Sequence, residues 1–299
     1  MTPATTAPAT KPTPKDYKAE VPPDWCPGCG DFGVLAVLQR ACAELAIPNH
    51  DICVVSGIGC SSNLPGFFKS YGIHSLHGRA LPVATGVKLA NHHMTVIATG
   101  GDGDGYGIGG NHFIHAMRRN VDMTYIVMNN EIYGLTTGQT SPTSEIGMKT
   151  KSAPSGNIDM PLNPLALAVA AGCGFVARGF SGDVKQLTQL YMDAIKYPGF
   201  AIVDVFSPCV TFNKVNTYDY FKKRIYKLED TGHDPENFAA AIGKTQEWGE
   251  KIPIGVFYKN PNPRPSLDRM DPALKAGPLV DRPVGLTKAQ RREIVEEMM

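Results

Sequence analysis

Short apolar segments alternate with amphipathic segments along most of the chain. Apolar runs of the length typical of buried strands occupy residues 52–55, 95–99, 123–128, 175–180 and 200–206. Between and before these runs, apolar side chains recur at helical spacing over residues 33–47, 83–92, 110–119, 163–171 and 183–196. Asn163 and Pro164 form a typical helix start. This alternation of strands and helices predicts an α/β fold with a doubly wound, mostly parallel sheet.

The two ends of the chain depart from this alternation. Residues 1–16 are rich in Thr, Pro and Ala, and we expect a flexible tail there. Residues 17–209 contain all the predicted strands and helices, which indicates one α/β domain. Beyond them the chain becomes rich in Lys and Tyr and then in Pro. Residues 210–299 are therefore predicted to form an irregular C-terminal arm that packs on the core and on a partner subunit.

Composition and charge argue against several classes of function. The 299 residues carry 29 Lys and Arg against 28 Asp and Glu, without a long run of like charges, so we expect no nucleic-acid partner. The apolar runs are far shorter than the ~18 residues that a membrane span needs, so we expect no membrane contact. The N-terminal residues lack the apolar stretch of a secretory signal. Seven cysteines without such a signal indicate a reducing compartment, and we expect a cytoplasmic protein.

Glycines and hard oxygen ligands follow two neighbouring strands of the predicted sheet. A Gly-Asp-Gly motif occupies residues 101–103, and an Asn-Asn pair occupies residues 129–130. The carboxyl ends of parallel strands share one edge of the sheet, where open α/β folds bind ligands. Glycine lets the backbone approach a diphosphate, and carboxylate and amide oxygens suit Mg²⁺. These motifs predict one site for a diphosphate and magnesium; the alternative is a glycine-rich turn with an unrelated capping pair.

This pair of motifs resembles that of the thiamine-diphosphate enzymes, which begins with Gly-Asp-Gly and ends with Asn-Asn. The resemblance implies the diphosphate-binding half of the thiamine-diphosphate-binding fold. It also implies that Mg²⁺ is bound by the side chains of Asp102 and Asn130 and by the carbonyl oxygen of Ile132. By the same resemblance the cofactor is lined by Gly101, Gly103, Asp104, Gly134 and Leu135.

The seven cysteines fall into two groups. Cys26 and Cys29 flank a Pro-Gly turn, Cys60 lies in a Gly-rich turn, and Cys209 ends the last predicted strand. Four thiolates suit a structural zinc ion or a 4Fe-4S cluster, and a Cys-x-x-Cys pair alone also fits a thioredoxin-like redox site. The remaining cysteines lie within or beside predicted helices and strands, and we expect them to be buried small hydrophobic residues: Cys42, Cys53 and Cys173.

Four segments together resemble the β subunit of 2-oxoacid:ferredoxin oxidoreductases. They are Trp-Cys-Pro-Gly-Cys-Gly at 25–30, Gly-Ile-Gly-Cys-Ser-Ser at 57–62, Gly-Asp-Gly-Asp at 101–104 and Ser-Pro-Cys at 207–209. The similarity extends over residues 17–230. It implies one 4Fe-4S cluster close to the thiamine ring, with the ligands Cys26, Cys29, Cys60 and Cys209. It also adds further residues to the cofactor site: Ile58, Gly59, Cys60 and Ser61.

The resemblance implies an enzyme that oxidatively decarboxylates a 2-oxoacid with coenzyme A and passes the electrons through the cluster to ferredoxin. A larger α subunit would hold the missing half of the thiamine site, in an αβ unit or an (αβ)2 heterotetramer. Residues 207–213 and 218–223 look most like the 2-oxoglutarate branch, and pyruvate is the alternative. Two other classes remain open: a thiamine-diphosphate lyase or carboligase without iron, and a zinc-stabilised scaffold subunit without thiamine.

A segment with two histidines, residues 71–79, resembles a family segment near the cofactor. It makes His77 the candidate catalytic residue, in contact with the cofactor, the reacting centre or the substrate. The alternative is a hydrogen-bonded scaffold role for His74, His77 and Arg79. Lys69 and Asn63 are further candidates for binding a substrate carboxylate, with a solvated lysine as the alternative.

Overall fold

The computed structural model of the protein describes residues 11–275, 277–282 and 285–298. Its strands are β1 (Ile52–Ser56), β2 (Tyr71–His74), β3 (Thr95–Gly101), β4 (Met123–Asn129), β5 (Phe175–Phe180), β6 (Phe200–Phe206), β7 (Ile225–Lys227) and β8 (Ile252–Lys259). They form one eight-stranded sheet in the order β2-β1-β3-β4-β6-β5-β8-β7. Neighbouring strands are parallel except β5 and β8, which are antiparallel. The predicted mostly parallel sheet is confirmed.

Helices cover both faces of this sheet. They are α1 (Asp31–Glu44), α2 (Leu64–Phe67), α3 (Ala80–Ala90), α4 (Gly110–Arg119), α5 (Pro164–Ala170), α6 (Val184–Lys196), α7 (Tyr218–Arg224), α8 (Phe238–Thr245), α9 (Leu267–Met270) and α10 (Lys288–Glu297). One core, around Leu38 and Leu187, lies between the sheet and the pair α1 and α6. A second core, around Phe113 and Leu165, lies on the opposite face under α3, α4 and α5. No helix in the described part of the chain is both long and apolar enough to cross a membrane.

The periodicity of the sequence located the central elements well. The strands predicted from apolar runs are β1, β3, β4, β5 and β6, and their observed ends differ from the predicted ones by no more than two residues. Helix α3 starts at Ala80 rather than at the predicted residue 83, because Pro82 is tolerated in the first turn of a helix. Strand β2 was not predicted, since it is a short edge strand with mostly exposed side chains and therefore lacks an apolar run.

The C-terminal region is more regular than the predicted irregular arm. Strand β8 pairs with β5 and with β7, so this region extends the sheet by two strands. Helices α7 and α8 accompany these strands, and Phe221 packs with Phe180, Phe206, Ile252 and Ile254 in a third apolar cluster. The expectation of an irregular segment arose from the many prolines, one of which, Pro253, lies near the start of β8.

The N-terminal end of the described chain is attached to the core. Pro14–Tyr17 form a 3-10 turn within and just after the predicted tail, and Tyr17 is fully buried. Its hydroxyl donates to the carbonyl oxygen of Ile47 at 2.6 Å. Residues 1–10 of the predicted tail lie outside the described residues.

Candidate active site

A cavity lies at the carboxyl edge of the sheet, where β3 and β4 end beside each other. It is called the oxygen-lined cavity below, after the side chains of Asp102 and Asn130. Each residue that the sequence proposed for the cofactor lines this cavity: Ile58, Gly59, Cys60, Ser61, His77, Gly101, Asp102, Gly103, Asp104, Asn130, Ile132, Gly134 and Leu135. Asp31, Met128, Tyr133 and Thr136 line it as well. The cavity thus unites segments that are far apart in the sequence.

The glycines of this cavity keep the backbone accessible. A Cβ atom on Gly103 would overlap the ring of Tyr133, whose hydroxyl donates to the Gly103 carbonyl oxygen at 3.0 Å. Gly59 has a φ of 123°, in a region that side chains other than glycine rarely adopt. After Gly101 the chain turns directly into a π-helical segment, Gly103–Ile108. At Gly103 there is therefore no room for a side chain, because the ring of Tyr133, itself part of the cavity lining, packs against the backbone.

The three predicted magnesium ligands all face one cavity. Asp102 is 1% exposed, and burial raises the pKa of its carboxyl group to about 6. The Asn130 Oδ1 atom accepts the N–H of Ile132 at 3.1 Å, so the residues form one tight turn. Within residues 11–275, no hydrogen bond to the Ile132 carbonyl oxygen is present. A cation would stabilise the buried carboxylate, and the donors are the hard oxygens that Mg²⁺ prefers. The residues therefore fit the ion.

A second cavity, called the sulfur-lined cavity below, adjoins the first and is lined by the four cysteines that the sequence grouped together. Cys26, Cys29, Cys60 and Cys209 all line it. The two cavities share Cys60, Asn130, Gly134 and Leu135. A Cβ atom on Gly134 would lie 3.5 Å from the Cys209 Sγ atom and 3.8 Å from the Cys60 Sγ atom. The wall between the cavities is therefore thin, and its smallest residue faces two of the sulfurs.

In the sulfur-lined cavity, the surroundings of the cysteines favour protonated thiols over thiolates as long as no metal is bound. Burial, the Asp31 carboxylate and neighbouring thiols raise the pKa of Cys60 to about 12, and burial and Asp31 raise the pKa of Cys29 as well. Metal binding removes the protons from such thiols, because the metal cation compensates the charge of the thiolates. In the described ranges, no three His, Cys, Asp or Glu side chains are grouped so that they could hold one metal ion. A cluster does not require that arrangement, since each cysteine binds a different iron atom.

The other cysteines are buried in the apolar cores. Cys42 and Cys173 are fully buried and Cys53 is 3% exposed. Cys42 belongs to the core beneath α1, and the other two belong to the core on the opposite face. Their predicted burial is confirmed.

Comparisons with known proteins agree with this geometry. Residues 57–205 match the family described as thiamine pyrophosphate enzyme, C-terminal TPP binding domain. Residues 209–275 match the family that describes the C-terminal part of the pyruvate ferredoxin oxidoreductase beta subunit. The chain is 51% identical over 249 residues to the 2-oxoacid:ferredoxin oxidoreductase subunit beta of Saccharolobus solfataricus, which covers 79% of this chain and 82% of that protein. The chain belongs to the family of 2-oxoacid:ferredoxin oxidoreductase β subunits.

Two further relatives have more specific names. The 2-oxoglutarate synthase subunit KorB of Archaeoglobus fulgidus is 39% identical over 239 residues, covering 80% of this chain and 85% of that protein. A solved 2-oxoglutarate:ferredoxin oxidoreductase from Magnetococcus marinus, with 2-oxoglutarate, coenzyme A and succinyl-CoA bound, is 43% identical with a TM-score of 0.86 and covers 94% of this chain and 95% of that chain. The predicted family, enzyme class and α/β fold are confirmed.

The histidine segment of this β subunit divides into a cavity residue and scaffold residues. The His77 Nδ1 atom lies 3.4 Å from the Asp104 Oδ1 atom, and the His77 side chain is 38% exposed at the cavity. Asp104 is held by the N–H groups of Ile58 and Gly78 at 2.9 and 2.7 Å. His77 is thus placed where a reacting group could meet it, and its catalytic role stays a prediction.

The other residues of that segment are tied to the protein itself. His74 shares a hydrogen bond of 3.1 Å with the Ser56 hydroxyl. The Arg79 guanidinium donates to the carbonyl oxygens of His77 and Gly78 at 3.3 and 3.4 Å. These contacts favour the scaffold interpretation for His74 and Arg79. Asn63 lines the sulfur-lined cavity and Lys69 is exposed, and neither residue lines the cavity that contains Asp102.

Sequence reasoning missed several polar residues around the site of this β subunit. Thr143 donates its hydroxyl to the Asp102 Oδ2 atom at 2.6 Å, and Ser207 donates to the Asp31 Oδ1 atom at 2.6 Å. Thr143 lies in the segment between β4 and α5, where no periodic pattern points to a site. The only signal was the polar run around Pro142, and Asp102, the hydrogen-bond partner of Thr143, is distant in the sequence.

Proposed function

We propose that this β subunit serves an enzyme that converts 2-oxoglutarate and coenzyme A to succinyl-CoA and CO₂ and delivers the released electron pair to ferredoxin. The names of the Archaeoglobus fulgidus relative and of the Magnetococcus marinus structure support 2-oxoglutarate as the substrate. The description of the C-terminal match names pyruvate, which is therefore the second candidate.

The oxygen-lined cavity is the proposed site of thiamine diphosphate and Mg²⁺. When bound, the cofactor supplies an electron sink for decarboxylation. Asp102 and Asn130 would hold the ion through their side chains, and Ile132 through its carbonyl oxygen. Gly101 and Gly103 let backbone N–H groups approach the diphosphate. His77 would contact the cofactor or substrate from the open side of the cavity, where it already pairs with Asp104.

The sulfur-lined cavity is the proposed site of one 4Fe-4S cluster. Such a cluster accepts and releases single electrons when bound. Cys26, Cys29, Cys60 and Cys209 supply the number and type of ligands that it needs. The observation that carries the proposal is the wall shared by the two cavities, formed by Cys60, Gly134 and two further residues. A thiamine site this close to a cluster favours oxidation of the substrate over simple lyase chemistry.

An α subunit is the proposed partner that completes the thiamine site. Several large apolar side chains are exposed, among them Leu135, which lines the open cavity, Leu76, which precedes His77 in the sequence, and Ile158 and Met160. Of these, Ile158 is 90% exposed and Met160 is 80% exposed. Apolar surface of this kind marks a protein interface. We propose an αβ unit or an (αβ)2 heterotetramer, and a cytoplasmic location because none of the seven cysteines, all of which lie in the described residues, forms a disulfide.

The experiment that tests the function uses the αβ complex purified without oxygen. Iron, sulfide and thiamine are quantified, and ferredoxin reduction is followed with 2-oxoglutarate and separately with pyruvate. We expect four irons per β subunit, bound thiamine diphosphate and a higher kcat/KM with 2-oxoglutarate. A higher kcat/KM with pyruvate would make pyruvate the substrate. Zinc without iron would refute the cluster. Substrate-dependent turnover by the β subunit alone would refute a thiamine site that the α subunit completes.

A further inference from the structure

A buried ion pair lies behind the oxygen-lined cavity and outside its lining. The Arg178 Nε atom, from β5, lies 3.3 Å from the Asp204 Oδ2 atom, from β6. Asp204 is fully buried and Arg178 is 3% exposed. Neither residue borders the cavity, and neither belongs to the predicted set of ligands. Burying a carboxylate is costly unless several polar groups contact it.

Asp204 also holds the first asparagine of the Asn-Asn pair. The Asn129 Nδ2 atom donates to the Asp204 Oδ1 atom at 3.2 Å, and the Tyr106 hydroxyl donates to the same oxygen at 2.9 Å. A carboxylate only accepts hydrogen bonds, so it selects the NH₂ end of the Asn129 amide. The Asn129 Oδ1 atom then accepts the backbone N–H of Glu131 at 3.2 Å. The ion pair therefore orients a side chain that contacts the turn bearing the proposed magnesium ligands.

That turn has an unusual backbone conformation. Glu131 has a φ of 57°, the left-handed region that residues other than glycine and asparagine seldom occupy. It stands between Asn130 and Ile132, the two proposed ligands of this segment. Its carbonyl oxygen accepts the Ser144 hydroxyl at 2.6 Å while its N–H is held by Asn129. Both polar groups of the Glu131 backbone are thus used to maintain the turn.

Thr143 lies between the same asparagine and the other proposed ligand. Its Oγ1 atom lies 2.6 Å from the Asp102 Oδ2 atom and 3.2 Å from the Asn129 Oδ1 atom. A hydroxyl has one hydrogen, and the shorter contact to the charged acceptor takes it. Thr143 is 6% exposed and does not line the cavity. It therefore restrains the Asp102 carboxylate from the protein side.

We propose that Asp204, Asn129 and Thr143 are positioning residues that hold the two strand ends of the magnesium site in register. Asn129 fixes the turn at Glu131, Thr143 fixes the Asp102 carboxylate, and Asp204 fixes Asn129. None of the three lines the cavity that is proposed for the ion and the cofactor. The inference rests on the proposed magnesium and thiamine diphosphate site and adds the residues that determine its affinity.

The C-terminal region contributes to this arrangement by covering the ion pair. The Arg178 guanidinium carbon lies 5.0 Å from the ring centre of Phe206 and 5.5 Å from those of Trp248 and Phe257. Two of these rings belong to the region after residue 210. They keep water away from the Arg178–Asp204 pair, which strengthens its electrostatic interaction. The region beyond the thiamine-binding half is thus part of the scaffold of the site.

The test compares Thr143→Val with Thr143→Ser in the αβ complex. Valine keeps the shape of threonine and removes the hydroxyl, whereas serine retains the hydroxyl. Thiamine diphosphate and metal are removed with a chelator, and Mg²⁺ is titrated back at a fixed excess of thiamine diphosphate while cofactor binding is followed by protein fluorescence. For Thr143→Val we expect the half-saturating Mg²⁺ concentration to rise about 10- to 100-fold, as for other outer-shell substitutions. For Thr143→Ser we expect a change of less than about threefold, because the donor is kept.

A matched control is Thr188→Val, which removes a buried hydroxyl that donates to its own helix at the Val184 carbonyl oxygen, 2.7 Å away. It should leave the Mg²⁺ titration unchanged. The melting temperature of the cofactor-free complex separates positioning from loss of folding, and we expect Thr143→Val to retain it. Asp204→Asn tests the hydrogen bond between Asp204 and Asn129. The new amide can present an NH₂ group to the NH₂ group of Asn129, so we expect this variant to bind Mg²⁺ more weakly as well.

An unchanged Mg²⁺ titration for Thr143→Val, alongside a lost cofactor in Asp102→Ala, would overturn this inference and leave the proposed function standing. Full retention of the cofactor in Asp102→Ala would refute the proposed magnesium site itself. An equal rise for Thr143→Ser and Thr143→Val would also overturn the inference, because the hydroxyl would then be irrelevant.

Discussion

The oxygen-lined and sulfur-lined cavities share a wall but are assembled in different ways. Asp102 and Asn130 follow the ends of β3 and β4, two strands that are hydrogen-bonded neighbours. The four cysteines come instead from the loop before α1, the turn after β1 and the segment that follows β6. Sheet register aligns the first set, whereas loop packing gathers the second. Hard and soft ligands on separate supports should therefore fail independently.

The largest effect is expected from variants that disrupt the oxygen-lined cavity alone. Asp102→Ala or Asn130→Ala removes a hard-oxygen ligand, so we expect retention of thiamine diphosphate to be abolished while the iron content is unchanged. Thiamine and iron are measured after gel filtration of the αβ complex. Stoichiometric cofactor in both variants would contradict the magnesium site.

An effect of similar size is expected from variants that disrupt the sulfur-lined cavity alone. Replacing Cys26, Cys29, Cys60 or Cys209 by Ser exchanges a soft thiolate for a hard ligand, so we expect the cluster to be lost or converted and ferredoxin reduction to fail. Iron content and the low-temperature electron paramagnetic resonance signal of the reduced complex report the cluster. Thiamine diphosphate content serves as the control and should stay unchanged. A wild-type signal in any of these variants would remove that cysteine from the ligand set.

A change in the shared wall should affect both cavities together. At Gly134 an added Cβ atom meets two sulfurs at ordinary contact distances of 3.5 and 3.8 Å, so Gly134→Ala should be tolerated. Gly134→Val adds two methyl groups to the same space, and overpacking of this kind costs about 1–3 kcal/mol. We expect lower iron and lower thiamine content in the valine variant, measured on one sample. Loss of only one of the two would show that Gly134 supports only the corresponding site.

The smallest effect is expected at the buried cysteines. Cys42→Ala, Cys53→Ala or Cys173→Ala removes one sulfur from a core, which should lower the free energy of unfolding by about 1 kcal/mol and leave the cluster signal intact. Denaturant unfolding of the cofactor-free protein measures the stability. A lost cluster signal in one of these three variants would mean that the two groups of cysteines were divided wrongly.

The sequence pointed to the proposed ligands of the site more directly than to the residues that support them. The Gly-Asp-Gly and Asn-Asn motifs and the cysteine-bearing turns are short local patterns at strand ends, where an α/β fold gathers ligands. Thr143 and Asp204 carry no such pattern. Their partners, Asp102 and Asn129, lie 41 and 75 positions away in the chain, and only folding brings the atoms into hydrogen-bond distance.

What the sequence by itself determined was the alternation of strands and helices over residues 52–206, the division of the cysteines into turn and core positions, and the two strand-end motifs of the oxygen-lined cavity. These follow from local periodicity and from the rule that parallel strands end at one edge. The other predicted residues of that cavity came from the resemblance to the family. Only the tertiary structure decided that β8 joins the sheet antiparallel to β5, that Gly134 separates the two cavities and that Arg178 and Asp204 lie behind them. Those features depend on pairings between distant segments, which burial and hydrogen bonding select once the chain is compact and which no local pattern encodes.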